Sequence, residues 1–145
     1  MELKEGTSVI LDTNCFIYYF EDHEEYASKL ELLFSMIQDG KIRACMSVLS
    51  FLELLVKPKQ QGNVFLENRY KLLLTNYPNL KIADISLLIA DKAASLRAAH
   101  GVKTPDAIIL ATAIVEKSDY FITNDLRLIK VGNHERINSI IIGDL

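Results

Sequence analysis

The chain has 145 residues, of which 50% are hydrophobic and 24% charged, and its formal net charge is -3. Domains usually run to about 100–200 residues, so we expect one domain over residues 1–145. The negative charge argues against a protein that coats nucleic acid by bulk electrostatics, because such binding needs Lys and Arg to neutralise phosphates. It does not argue against an enzyme that meets a nucleic acid at one local site.

The apolar segments are shorter than the ~20 residues that span a bilayer, and the N-terminal stretch "MELKEGTS" lacks the apolar run of a signal peptide. We therefore expect a cytoplasmic protein with no membrane partner. The two cysteines, Cys15 and Cys45, cannot form a disulfide scaffold, and we interpret both as buried packing residues.

In the first half of the chain, short strand-like runs alternate with longer helical patterns. Strands are expected over residues 8–11 and 42–47. Helices are expected from about Asn14, over 24–38 with a stop at Gly40, and over 48–56 with an end before Pro58.

The second half continues the alternation. We expect helices over 63–77, closed by Pro78, over 86–100, capped by Gly101, and from Pro105 onward, with Thr104 as its N-cap. Strands are expected over 80–84, 119–123 and 137–142, with a short helical turn at "LRLI" (126–129). Strands separated by helices imply parallel pairing, which predicts an α/β fold in layers around a parallel sheet.

Several carboxylates fall where such a fold would gather them. Asp12 follows the strand 8–11 directly, and Asp125 follows the strand 119–123 by two residues. Both therefore emerge at carboxyl ends of parallel strands, the edge at which ligands bind in open sheets. Asp106 lies in the first turn of its helix, where the helix dipole favours negative charge, and Glu53 lies in the apolar helix "VLSFLELLV".

Carboxylates that converge on one edge repel one another, and a divalent cation removes the conflict. Mg²⁺ and Mn²⁺ prefer oxygen ligands, whereas no His or Cys pair here has zinc spacing, because His23, His100 and His134 are scattered along the chain. The sequence therefore favours hard-metal chemistry at Asp12, Glu53, Asp106 and Asp125.

Each of these residues also has a simpler interpretation. Asp12 and Asn14 can cap the helix that follows them, and Glu53 can form a capping box with Ser50 in the S-x-x-E pattern. Asp106 can be an acidic residue favoured by the helix dipole, and Asp125 an ordinary turn residue. The functional interpretation rests on their joint placement at one edge.

The motifs resemble those of a known family. "LDTN" at 11–14, Glu53, "TPDAIILATA" at 104–113 and "ITND" at 122–125 are similar in order and spacing to the PIN domain, in particular to the VapC-type toxin ribonucleases. The resemblance extends from residue 8 to residue 142. It implies a three-layer α/β/α sandwich around a central parallel sheet, and a metal-dependent endoribonuclease that hydrolyses single-stranded RNA.

The resemblance also implies roles for individual residues. Asp12, Glu53, Asp106 and Asp125 match the acidic quartet that binds Mg²⁺ or Mn²⁺, while Thr13, Asn14 and Thr123 would fix these carboxylates by hydrogen bonds. Family members of this size are commonly homodimers, and toxin members are neutralised by an antitoxin encoded beside them.

Substrate contacts are less distinctive. Basic residues flank the motifs and are candidates for binding phosphates, although a solvated surface is the more common role of such charges; they are Lys57, Lys59, Arg97, Lys103 and Arg127. Phe16, Tyr18 and Tyr19 are expected to pack in the core or an interface rather than to stack on bases.

Three other functions compete with an RNA-cutting toxin. A structure-specific DNA nuclease is disfavoured by the small size of the chain. A non-catalytic PIN-like binding module would have no need of four carboxylates that repel one another. A haloacid-dehalogenase-type phosphatase needs a second Asp two residues after its nucleophile, where this chain has Asn14.

Overall fold

The computed structural model describes residues 2–145. Five short strands form one sheet: β1 (Ser8–Leu11), β2 (Arg43–Ser47), β3 (Leu80–Ala83), β4 (Tyr120–Thr123) and β5 (Asn138–Ile141). The helices between them are α1 (Thr13–Phe20), α2 (Ala27–Gln38), α3 (Val48–Gln60), α4 (Val64–Asn76), α5 (Leu87–His100), α6 (Thr104–Val115) and α7 (Leu126–His134). A 3₁₀ turn, Ile142–Asp144, follows β5.

The sheet has the order β3-β2-β1-β4-β5, and every pairing is parallel. Successive side chains of a strand point to opposite faces. In β1, Val9 and Leu11 accordingly pack with α1, α2 and part of α3 and α4, whereas Ile10 packs with α5, α6 and α7. The three-layer α/β/α sandwich predicted from the sequence is confirmed.

Two helix starts differ from the predictions. Helix α1 begins at Thr13, close to the expected start near Asn14, but α2 begins at Ala27 rather than at residue 24, because residues 24–26 form a turn. Helix α6 begins at Thr104 with Lys103 as its N-cap, so Thr104 is not the cap. A proline is tolerated anywhere in the first turn of a helix, because the backbone N–H groups there lack helical partners. Pro105 therefore does not determine at which residue α6 begins.

Two helices are longer than predicted. Helix α3 does not end before Pro58 but passes through it to Gln60, and Pro58 is buried. The turn beyond it is held by the bond from the Gln61 amide to the Lys57 carbonyl at 3.0 Å, and α3 packs against α4. Pro58 thus removes one helical hydrogen bond without ending the helix.

Helix α7 extends over nine residues, well past the predicted turn at 126–129. Its Leu128 is buried and its Val131 packs beside it, at helical spacing. Position 132 inside the helix is a glycine, and a Cβ at this position would come within 2.2 Å of Ser139 Oγ on β5. The glycine weakens the helical pattern in the sequence and permits the helix to approach the strand.

Both cysteines are buried and unpaired, as expected. Burial raises the pKa of the Cys15 thiol well above its ordinary value and that of Cys45 to about 11. Neither thiol is therefore ionised near neutral pH, and both act as packing groups. Phe16 is fully buried, and Tyr18 and Tyr19 pack against the same core, which confirms their predicted role. Within residues 2–145, no helix combines the length and the apolar character needed to cross a membrane.

Candidate active site

Neighbouring strands β1 and β4 set the centre of the site. Leu11 pairs with Ile122, so the residues that follow them, Asp12 and Thr123, lie side by side at the carboxyl edge of the sheet. Thr123 Oγ1 donates a hydrogen bond of 2.6 Å to Asp12 Oδ2, and the Thr13 amide donates one of 2.8 Å to Asp12 Oδ1. Both oxygens of the carboxylate are held in place.

Asp12 is also the N-cap of α1, so its capping and its place at the edge are compatible. The side chain is buried, and burial raises the pKa of Asp12 to about 6, against the opposing effect of the hydrogen bonds from Thr123 and Thr13. The negative charges of Asp106 and Glu53 raise this pKa further. A buried acid beside other acids favours its neutral form unless a cation is near.

Glu53 reaches the site from α3, although the residue is exposed rather than buried among its apolar neighbours. Thr13 Oγ1 lies 2.8 Å from both Glu53 Oε1 and Ser50 Oγ. Because a hydroxyl carries one proton and an ionised carboxylate none, Thr13 donates to Glu53 and can accept from Ser50. Thr13 thereby connects the first motif to α3.

Ser50 does not cap α3, so the capping-box interpretation is wrong. Ser47 is the N-cap, and its hydroxyl accepts from the Leu49 amide, whereas Ser50 is fully buried in the helix. The S-x-x-E spacing places both side chains on one face of a helix, which is the face toward Thr13. Ser50 belongs to the site, and that spacing was its only signal in the sequence.

Asp106 and Asp125 complete the acidic group. Asp106 is half-buried in the first turn of α6, and its pKa is raised by burial and by the charge of Asp125. Asp125 is the N-cap of α7: its carboxylate accepts from the Arg127 amide at 2.9 Å, and its own amide donates to Thr123 Oγ1 at 3.1 Å. Thr123 therefore touches both ends of the acidic group, Asp12 and Asp125.

The residues of the site suit a hard divalent cation. Asn14, beside Asp12, has a buried Oδ1 atom without a hydrogen-bond partner among residues 2–145. Leaving such an atom unsatisfied costs about 1–3 kcal/mol. The charged and polar side chains gathered here offer oxygen ligands, which Mg²⁺ and Mn²⁺ prefer. A cation would offset the burial and the charge repulsion that together raise the pKa values of Asp12 and Asp106.

The basic candidates divide into two groups. Lys57 pairs with Glu21 and Lys59 with Glu67, each at 3.0 Å, and Arg97 Nε donates to the Val102 carbonyl. By contrast, Lys103 and Arg127 lower the pKa of Asp106 by their positive charges, so both lie near the acidic group. Arg127 also forms an ion pair with Asp125 of that group, at 3.8 Å.

Two of the three histidines, although scattered along the chain as expected, come together in the fold. The ring centroids of His100 and His134 are 4.8 Å apart, and Glu135 lies beside them. The two histidines are distant in sequence but occupy the last positions of α5 and α7, which meet in the fold. Spacing along the chain carried no sign of this cluster.

Comparison with known families settles the family of this chain. The sequence matches the PIN domain over residues 9–133. The chain belongs to the PIN domain family. This match confirms the resemblance to the PIN domain that the sequence motifs indicated. Members of this family are typically nucleases and generally use divalent metal ions.

Solved structures give the same fold. A chain of the toxin–antitoxin complex from Klebsiella pneumoniae is 26% identical, with a TM-score of 0.65 over 83% of this chain and 89% of that one. A chain of VapBC2 from Rickettsia felis bound to a promoter DNA fragment is 19% identical, with a TM-score of 0.70 over 93% and 98%. A chain of FitAcB from Neisseria gonorrhoeae is 19% identical, with a TM-score of 0.71 over 94% and 99%. No match is found among curated protein sequences.

Proposed function

We propose that this PIN domain is a Mg²⁺- or Mn²⁺-dependent endoribonuclease that hydrolyses phosphodiester bonds in single-stranded RNA. The observation that supports this most strongly is the acidic group at the carboxyl edge of the sheet. Its central member, Asp12, is buried and held at both oxygens, and its pKa is raised mainly by burial and further by the charges of Asp106 and Glu53. A fold has no structural need for carboxylates that destabilise one another in this way.

The residues divide the work as follows. Asp12, Asp106 and Asp125 would hold the cation, directly or through water, and Glu53, which is more exposed, would complete its ligands or orient the attacking water. A bound Mg²⁺ or Mn²⁺ supplies a water of lowered pKa and stabilises charge on the phosphate and the leaving oxygen. Thr13 fixes Glu53, Thr123 fixes Asp12, and the Asn14 amide oxygen offers one more acceptor beside them.

RNA is the proposed substrate rather than DNA. Residues 2–145 form one sheet with its covering helices, which leaves little chain for gripping a duplex. Lys103 and Arg127 provide local positive charge at the site of a chain whose net charge is -3. A single strand can reach such a site with few phosphate contacts. Cleavage of matched RNA and DNA oligonucleotides of one sequence distinguishes the two substrates.

We further propose that the protein is a cytoplasmic toxin, neutralised by a cognate antitoxin and assembled as a homodimer. The similar structures from Klebsiella pneumoniae, Rickettsia felis and Neisseria gonorrhoeae support the antitoxin partner, since toxin–antitoxin complexes are among them. Large apolar side chains on α3 and α4, such as Leu52, Phe65 and Leu72, are exposed. Apolar surface of this kind is typical of protein interfaces.

The test is cleavage of single-stranded RNA by the purified protein with Mg²⁺, with Mn²⁺ and with chelator. We expect cleavage to require the metal and to fall at least about 100-fold in Asp12→Asn and in Asp106→Asn, as for loss of a group acting in the transition state. Asp39→Asn is the matched control, because Asp39 ends α2 and precedes β2, at the opposite edge of the sheet. Full activity in both site variants would refute the assignment and favour a non-catalytic PIN-like module.

A further inference from the structure

A second cluster of metal-binding side chains lies apart from the acidic group. His100 is the last residue of α5, His134 the last of α7, and Glu135 the C-cap of α7. One ligand atom from each lies within 4.8 Å of the other two. Among the described residues, it is these three, rather than the acidic quartet, that meet so closely.

The contacts within the cluster are specific. His100 Nε2 and Glu135 Oε1 are 2.8 Å apart and share one hydrogen bond, with side chains only 14% and 24% exposed. The His134 ring meets the His100 ring edge to face, at an interplanar angle of 79°. The hydrogen bond from His100 lowers the pKa of Glu135, so this carboxylate is ionised at neutral pH.

We propose that His100, His134 and Glu135 form a binding site for a divalent transition-metal ion, of which Zn²⁺ is the expected occupant. Two imidazoles and one carboxylate form a ligand set of the type found at zinc sites that keep a fourth position open for water. Mg²⁺ prefers oxygen ligands, so the two sites select different ions. This proposal does not depend on the proposed nuclease function.

The ligand atoms must move to bind the ion. With bonds of about 2.1 Å in a tetrahedron, ligand atoms stand roughly 3.4 Å apart, so the His100–Glu135 pair must open by about half an ångström. Ligand atoms that now lie up to 4.8 Å apart must close by up to about 1.4 Å. His100 Nε2 then gives up its proton to bind the ion, and Nδ1 carries the proton of the neutral ring. Two features of the surroundings act in opposite directions: the negative ends of α5 and α7 favour a cation, whereas the charge of Lys92, which also acts on Glu135, opposes one.

The site would join two helices that are not neighbours in sequence. Helix α5 packs against α6, which carries Asp106, and α7 begins at its N-cap Asp125. A bound ion would therefore fix the far ends of elements that support the acidic group. The expected consequence is thermal stabilisation of the whole protein, because an ion that binds only the folded state raises the unfolding temperature.

The experiment measures Zn²⁺ binding to the chelator-treated full-length protein by calorimetry, and Co²⁺ binding by visible absorption. We expect one saturable Zn²⁺ site, a tetrahedral Co²⁺ spectrum and a rise in the unfolding temperature with Zn²⁺. His134→Ala and Glu135→Gln should each weaken Zn²⁺ binding at least about tenfold. Loss of a residue that only hydrogen-bonds to a metal ligand already costs that much affinity, and loss of the ligand itself should cost more. Lys92→Met should tighten binding.

The controls separate this site from the acidic group and from simple misfolding. His23→Ala alters the remaining histidine, which packs on Tyr18 and Tyr26, and should leave Zn²⁺ binding unchanged. Asp12→Asn and Asp106→Asn should also bind Zn²⁺ as the wild type does.

Glu135→Gln can keep a hydrogen bond to His100, so circular dichroism should show that this variant is folded. Equal Zn²⁺ binding in wild type, His134→Ala and Glu135→Gln, loss of it only in the Asp variants, or no saturable binding to wild type would overturn the proposal.

Discussion

Thr123 Oγ1 donates a hydrogen bond of 2.6 Å to Asp12 Oδ2 and accepts one of 3.1 Å from the Asp125 amide. One buried hydroxyl, at the end of β4, thereby fixes the acidic residue that follows the first strand and the one that follows the fourth. The parallel register of β1 and β4 makes this contact possible, since Leu11 pairs with Ile122. The arrangement of the site is built directly on the pairing of the sheet.

Removing that hydroxyl should change the pH at which the enzyme works. Thr123→Val keeps the shape of the side chain but removes a hydrogen bond that lowers the pKa of Asp12, so this pKa should rise above about 6. A hydrogen bond contributes about 0.5–1.5 kcal/mol, which corresponds to a shift of roughly half a unit to one unit. We expect the acid limb of the pH–rate profile to move upward by that amount.

Thr123→Ser is the matched control, because it retains the hydroxyl. Its acid limb should stay at the wild-type position. An unchanged acid limb in Thr123→Val, with activity lost equally at every pH, would indicate that Thr123 supports only the fold.

Asp12 should destabilise the metal-free protein above pH 6. Its pKa is about 6 in the fold against 3.8 for the free side chain, so folding favours the protonated form. The penalty is fully present above pH 6, shrinks as the pH falls through 6, and vanishes below about 4; a shift of about two units corresponds to roughly 3 kcal/mol.

Asp12→Asn removes this penalty. In chelator at pH 8, we expect the free energy of unfolding of the variant to exceed that of the wild type by about 1–3 kcal/mol, and the difference to shrink at pH 5. Mg²⁺ should raise the unfolding temperature of the wild type more than that of the variant. Urea denaturation in chelator at the two pH values measures the first effect, and thermal melts with and without Mg²⁺ measure the second. A variant less stable than wild type at pH 8 contradicts the account.

Thr13 should act through Glu53. Thr13→Val removes the hydroxyl that lies 2.8 Å from Glu53 Oε1 and from Ser50 Oγ, and leaves the exposed Glu53 side chain free to move. We expect kcat to fall about tenfold with little change in KM, because positioning acts on the chemical step. Thr13→Ser should retain most of the activity; equal losses in both variants would exclude this role.

Lys103 and Arg127 should contribute to RNA binding. Replacing either by Met should raise KM and weaken the dependence of binding on salt, by roughly 0.7 in the slope of log K against log salt for one lost phosphate contact. Lys57→Met is the control, since Lys57 pairs with Glu21 and its charge does not act on the pKa of Asp12 or Asp106. Binding of an uncleavable RNA at several salt concentrations measures the slope, and identical slopes for all three variants would exclude a phosphate contact.

Much of the fold could be predicted because the strands and helices have strong local patterns. Each predicted strand occurs in the sheet, and Ser86, Gly101 and Asn63 end or begin their helices as their residue types favour. The acidic group could be predicted because parallel strands place their carboxyl ends at one edge, and that edge is fixed by topology rather than by side-chain detail.

What could not be predicted depends on tertiary contacts. Pro58 is a helix breaker by local rules, but the packing of α3 on α4 carries the helix past it. Ser50 was interpreted as a cap from the local S-x-x-E pattern, because its actual partner, Thr13, lies 37 residues away in the sequence. His100 and His134 meet only because α5 and α7 end at the same place. None of these contacts leaves a periodic trace in the sequence.

The central claim is that Asp12, Asp106, Asp125 and Glu53 bind a hard divalent ion. An anomalous difference map from crystals grown with MnCl₂ tests it most directly. We expect a Mn²⁺ peak among these carboxylates, with Asp12 as a ligand, and no such peak in crystals of Asp12→Asn. A wild-type map with Mn²⁺ absent from this edge of the sheet, at an ion concentration that supports RNA cleavage, would contradict the account.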